Sequence, residues 1–213
     1  MIEQLTYSEL EIISADYPRR LAPKEVYSKL ASRLPKIRGD ILKWFEAALS
    51  DDIKKWFAAG FLAVVPHACH PLRLVLLRAA IMEENPSSNR TFILPLREVM
   101  SYPDFIKSMI EIADPKNPVE IAGVADASYW AKIDLKKSDD LATRVRFNSW
   151  RVHRFLETQN VYARRSLLSG MSFKDADIPQ DVRVARDQVI TIARNHSDEY
   201  IRYRLEIQLS ESF

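Results

Sequence analysis

Apolar residues recur every three to four positions along nearly the whole chain, the spacing that gives a helix one buried face. About twelve short helices follow from this pattern, over 7–15, 23–33, 39–49, 51–64, 71–84, 91–100, 103–113, 118–131, 139–157, 160–169, 179–195 and 198–209. The boundaries carry capping chemistry. Ser50-Asp51 and Ser197-Asp198 offer short oxygen acceptors to the first unpaired N–H groups of a helix. Pro23, Pro71, Pro103, Pro118 and Pro179 suit a first turn, where a missing N–H costs nothing. Gly170, after Ser166-Leu167-Leu168, reads as a left-handed helix stop. No run of alternating apolar and polar residues reads as a strand. The predicted fold class is all-α.

Short helices on short connections pack antiparallel to their neighbours, so the chain reads as a succession of helical hairpins. These hairpins either close into an irregular bundle or stack side by side. Self-similarity favours stacking. Ser50-Asp51-Asp52-Ile53-Lys54-Lys55-Trp56 and Ser197-Asp198-Glu199-Tyr200-Ile201-Arg202-Tyr203 share Ser, Asp, an acid, a base and an aromatic at the same offsets, and Leu62 then matches Leu209. Asn160-Val161-Tyr162-Ala163-Arg164-Arg165 is a looser copy, and Pro103-Asp104-Phe105-Ile106-Lys107 looser still. An acid opening a helix, an aliphatic residue and a base in its first turn, then small and apolar residues, resembles the second helix of HEAT-type repeats. The resemblance is best over 139–209, extends to 39–113, and departs from the family at Trp56 and Tyr203, where repeats often carry smaller residues. It implies a right-handed superhelix of antiparallel hairpins as a single domain over 1–213. The polar stretch 132–140 marks a joint or an ordinary inter-repeat loop.

Composition narrows the function. Four glycines in 213 residues, against a usual share of roughly 7%, leave little for hairpin turns, a dinucleotide-binding fingerprint or a phosphate-cradling loop. The net charge of +2 gives no overall support to a nucleic-acid partner. A single cysteine, Cys69, excludes an internal disulfide. The first residues lack the basic start and apolar run of a secretory signal, and no apolar stretch is long enough to span a bilayer. A cytoplasmic protein is the expectation.

His67-Ala68-Cys69-His70 offers two imidazoles and a thiol, but ligands crowded into one short connector do not supply four tetrahedral corners. No metal site and no cofactor are expected. Asp175 and Asp177 lie in a polar loop and Asp139 and Asp140 start a helix, so ordinary carboxyl pKa values are expected rather than catalytic tuning. Ser50, Ser138 and Ser197 read as caps. No catalytic residue is named. Trp44-Phe45 and Trp56-Phe57 lie on consecutive helices and are expected to meet in one hairpin core.

Residues 139–165 are the most distinctive stretch. On a helical wheel Leu141, Val145, Val152 and Leu156 form the expected buried stripe, with Arg144, Phe147, Arg151 and Arg154 beside it and Trp150 nearly opposite. With Arg164 and Arg165 these residues read either as a cationic, aromatic-studded binding surface or as a solvated arginine face with aromatic packing. The first reading makes Arg144, Phe147, Trp150, Arg151, Arg154, Arg164 and Arg165 the candidate binding residues. The leading functional expectation is a non-enzymatic binding module, a scaffold or adaptor for another protein with an acidic surface, a cognate toxin being one such partner. The alternative is nucleic-acid binding, by analogy with HEAT-like DNA glycosylases for alkylated bases: Asp126 and Trp130 stand four apart on one helix, with Arg144 and Arg151 downstream. A structural subunit that self-associates through exposed aromatics is a third reading.

Overall fold

The computed structural model describes residues 4–34, 36–135 and 140–210. Among these residues there are twelve α-helices and no strands, so the all-α expectation holds. They are α1 (Tyr7–Ala15), α2 (Lys24–Ala31), α3 (Gly39–Leu49), α4 (Lys55–Val64), α5 (Arg73–Ile81), α6 (Arg90–Ile93), α7 (Tyr102–Ile112), α8 (Pro118–Asp134), α9 (Leu141–Glu157), α10 (Val161–Ser169), α11 (Arg183–Arg194) and α12 (Glu199–Ser210). Side-chain caps fix many of the starts. Thr6 and Glu9 form a reciprocal box at α1, and Ser101, Asn117, Asp140 and Asn160 accept backbone N–H groups at α7, α8, α9 and α10.

Some boundaries differ from expectation, each for a local reason. Residues 91–100 do not form one helix: Pro95 has no N–H to continue the ladder, and α6 gives way to a 3-10 turn over Leu94–Leu96. Pro71 likewise sits in a 3-10 turn before α5. Asp51 does act as a cap, accepting from the N–H groups of Ile53 and Lys54 at 2.7 and 3.0 Å, but a turn intervenes and α4 starts only at Lys55. Asp198 accepts from Ile201 N–H at 3.1 Å, so both acids of the two similar segments serve the same offset. Gly170 is not left-handed: its φ is −130°. The Arg151 guanidinium lies over it, 2.7 Å from where a Cβ would be, so a side chain there would push the guanidinium aside. Of the stretch 132–140, residues 136–139 lie outside the described residues, including Ser138 and Asp139, expected as a cap and a helix start.

The packing alternates. α1, α3, α5, α7, α9 and α11 each touch the next odd-numbered helix, while α2, α4, α6, α8, α10 and α12 do the same among themselves. From α3 onward, consecutive odd and even helices also pair, joining the two rows as hairpins. The apolar interior falls into two clusters. One draws on α1 to α8, with Phe147 of α9, and includes Trp44, Phe45, Phe57 and Phe61; the other draws on α8 to α12 and includes Phe155, Leu167, Leu168 and Ile201. Trp44 meets Phe45 and Phe57 edge-on at 5.0 and 6.2 Å, as the hairpin expectation requires, whereas Trp56 turns away to Phe92 of α6 at 5.3 Å.

α8 belongs to both clusters. Val124, Ala127 and Ala131 enter the first, and Ile121, Ala122 and Ala125 the second. It comes so close to the end of α5 that a Cβ on Gly123 would stand 1.9 Å from the Ile81 carbonyl oxygen. Gly123→Ala forces the two backbones apart and is expected to lower stability by about 2–3 kcal/mol, measured as a shift in the urea-unfolding midpoint at unchanged slope.

Candidate functional site

The structure does not gather the seven candidate residues on one face. The buried side of α9 is formed by Thr143, Phe147, Asn148, Val152 and Phe155, and Leu141, expected in the buried stripe, is exposed. The helix is rotated from expectation because the two phenylalanines carry more apolar surface than the aliphatic residues. Asn148 can be buried with them because it bonds the Ser172 carbonyl and N–H at 2.6 and 2.9 Å. Phe147, 3% exposed, stacks on Trp150 at 5.8 Å, and Trp150 packs against both apolar clusters. Arg164 is buried over the Phe155 ring and bonds Gln159 at 3.1 Å. Arg154 pairs with Glu157 at 2.7 Å. Arg144 stands 3.5 Å from Asp177 at the mouth of a cavity that Arg151 also lines. Arg165 alone of the seven reaches a different place, an open groove across the even-numbered helices.

That groove, about 470 Å³, is formed by α8, α10, α12 and the Pro86-Ser87 turn. α8 supplies Asp126, Tyr129 and Trp130, α10 supplies Tyr162, Arg165 and Ser166, and α12 supplies Tyr200 and Arg204. Residues four apart on one helix face share a side, which is how Asp126 and Trp130, and likewise Tyr162 and Ser166, come together. The Trp130 indole donates to the Pro86 carbonyl at 2.7 Å and lies under the Arg90 guanidinium, itself tied to Asp134 at 2.9 and 3.0 Å. Tyr129 meets Trp130 edge-on at 5.1 Å and remains 63% exposed. Arg165 and Arg204 both lie against the Tyr200 ring, at 5.6 and 5.9 Å, and Arg165 also donates to Asp198.

Asp126 is the one carboxyl among the residues lining the groove. Tyr162 Oη and Ser166 Oγ donate to its Oδ2 at 3.2 and 3.1 Å. Burial pushes its pKa above the usual carboxylate range, outweighing these bonds and the nearby Arg151 charge. The Tyr162 hydroxyl is pushed up to about 12, by burial first and by the Asp126 charge second. The arrangement is equipped to stack on, and hydrogen-bond, a bound group.

Elsewhere, Cys69 is buried, points its thiol at the Leu62 and Val65 carbonyls, and is pushed up to about 12 by burial. Among the described residues no group of His, Cys, Asp and Glu is placed to hold a metal ion, and no helix is long and apolar enough to cross a membrane. Asp175 departs from the expected ordinary pKa: the Arg186 hydrogen bond holds it low.

Fold and groove together define an all-α protein with an open aromatic recess on one row of helices. Comparison of the chain with protein-family models, with curated proteins and with solved structures found no match.

Sequence reasoning singled out Asp126 and Trp130 but not Tyr162, Tyr200 or Arg204. Their signal lies in helix alternation: each sits on the outward side of an even-numbered helix. Because the Asp126 carboxyl is harder to ionise in the folded chain than in the unfolded one, ionisation costs stability as pH rises above 3.8. Asp126→Asn, which keeps an acceptor for Tyr162 and Ser166, is therefore expected to be more stable than the parent at pH 7. Thermal melts across pH should show that advantage fading toward pH 3.

Proposed function

We propose that this chain is a non-enzymatic protein-binding module, a scaffold or adaptor whose even-numbered helices receive a partner carrying acidic groups. The observation that carries this reading is the groove: Tyr129, Trp130, Tyr162 and Tyr200 on three helices, flanked by Arg165 and Arg204. Tyrosine, tryptophan and arginine dominate interface energetics because they bury large rigid surfaces and keep a polar tip. Four such rings outlining an open recess suit a protruding segment of a partner better than a small substrate that must be enclosed for chemistry. In this reading the alternating rows of helices are a HEAT-like right-handed stack working in the cytoplasm, and a toxin neutralised by its cognate immunity protein is one partner of this kind.

Nucleic-acid binding is the second reading, favoured by Asp126 beside Trp130 and by arginines near stacking rings. A glycosylase acting on alkylated bases would place its acid this way. Against it stand the net charge of +2 and the pairing of Arg165 with Asp198, which leave little charge for a polyanion.

The double variant Tyr129→Ala/Tyr200→Ala removes two rings that lie at the surface, outside both apolar clusters. It is expected to melt within a degree or two of the parent and to lose at least about tenfold in affinity for the captured protein. Affinity capture followed by titration measures this. Recovery of nuclease-sensitive material whose binding falls steeply with salt would instead establish the second reading.

A further inference from the structure

A second cavity, about 260 Å³, lies between α8, α9 and the chain that follows α10. It shares Ala125, Tyr129 and Ser169 with the groove, so the two recesses adjoin. Arg151 projects into it from α9. Its Nη1 donates to the Gly170 carbonyl, its Nη2 donates to Ser128 Oγ at 2.9 Å, and its guanidinium lies 4.1 Å from the centre of the Phe147 ring. A carbonyl, a hydroxyl and a ring face are all neutral partners. Its Nε is buried and bonded to no protein acceptor, as are those of Arg154, Arg164, Arg183 and Arg204. Arg78, Arg90, Arg165 and Arg186, by contrast, each hold a carboxylate.

Asp126 acts on Arg151 only through space, and a buried cation with no carboxylate bonded to it is costly, the usual remedies being loss of the proton or a bound anion. Burial does depress Arg151, to about 10, which leaves it charged at neutral pH. Among the described residues that line it, Lys132 adds positive charge to the same wall, where Arg144 stands 3.5 Å from the carboxylate of Asp177. A guanidinium has five N–H donors in a planar fork, and Arg151 uses two groups of them on Gly170 and Ser128, so donors remain for a ligand oxygen. Gly170 is the fitted part of this site: any Cβ there would collide with the guanidinium.

We propose that this cavity receives one carboxylate group of a protein partner, with Arg151 as its planar donor; the proposal rests on the protein-binding reading of the adjoining groove. A carboxylate fits better than a phosphate. The guanidinium fork matches a planar oxyanion, while Asp177 in the wall and Asp126 within electrostatic reach of Arg151 penalise a group carrying two negative charges. The partner segment thus lays its apolar or aromatic residue on Tyr129 and Tyr200 and turns an acidic side chain into the Arg151 cavity.

The test uses the full chain labelled with ¹⁵N and sodium acetate as the probe, exchanged for chloride at constant ionic strength. The expected result is a saturable shift of the Arg151 Nε–Hε resonance. Gly170→Ala pushes the guanidinium aside without removing its charge, and is expected to weaken acetate binding at least about tenfold. Lys132→Ala, an exposed change, is expected to weaken it about threefold. A non-saturating response, or one that chloride reproduces, overturns the site, and the parent titration decides this even if Gly170→Ala folds poorly. Inorganic phosphate saturating at lower concentration than acetate overturns the carboxylate assignment. A chain that binds acetate yet captures no protein sinks the protein-binding reading and leaves the oxyanion site; a captured partner whose affinity Gly170→Ala leaves unchanged sinks the cavity's role alone.

Discussion

The crossing of α5 and α8 is the constraint on which the rest depends. Gly123 lets the α8 backbone rest on the Ile81 carbonyl, a distance that no residue with a side chain allows. A second interaction locks the same pair of helices. Glu120, at the start of α8, accepts a two-pronged bond from Arg78 of α5 and further bonds from Asp114 N–H and the Asn117 amide. Burial raises the Glu120 pKa, but these donors outweigh it and hold the carboxyl below its usual range. With α8 seated this way, its two apolar sides serve two clusters at once, and α5 through α10 form a continuous packed path.

A helix buried on two sides still has a third. On α8 that side carries Asp126, Tyr129 and Trp130, which is why the groove forms where the two clusters meet. Arg151 then works as a bridge beneath it, reaching from α9 to Ser128 of α8 and Gly170 after α10. The groove and the adjoining cavity are therefore products of the same close packing. Small residues draw the backbones together, and long polar or aromatic residues are left to span the edges.

Much of the fold was legible because helix periodicity and capping are local. Asn117, Asp140 and Asn160 act within three residues of themselves, so sequence spacing alone places α8, α9 and α10. The site was less legible because its parts meet only through tertiary packing. Asp126 and Trp130 are joined by four residues of one helix, yet Tyr162 and Tyr200 reach them from α10 and α12, tens of residues downstream. The arginines of α9 and α10 were hard to place for a related reason. Charge alone does not say which way a guanidinium turns, and Arg151 and Arg164 turn inward to cover Phe147 and Phe155, as long side chains with apolar stems can. Gly170 does end α10, but without the left-handed turn that the sequence suggests.

Seated on α5, α8 couples the two apolar clusters and thereby holds the groove in shape. Native-state hydrogen exchange read by mass spectrometry tests it most directly, because it reports the opening free energy of each helix separately. Amides of α5, α8 and α10 are expected to exchange only through one shared opening, at the free energy of global unfolding. Exchange of residues 141–210 through a lower-energy opening, while α3 to α5 stay protected, would contradict it.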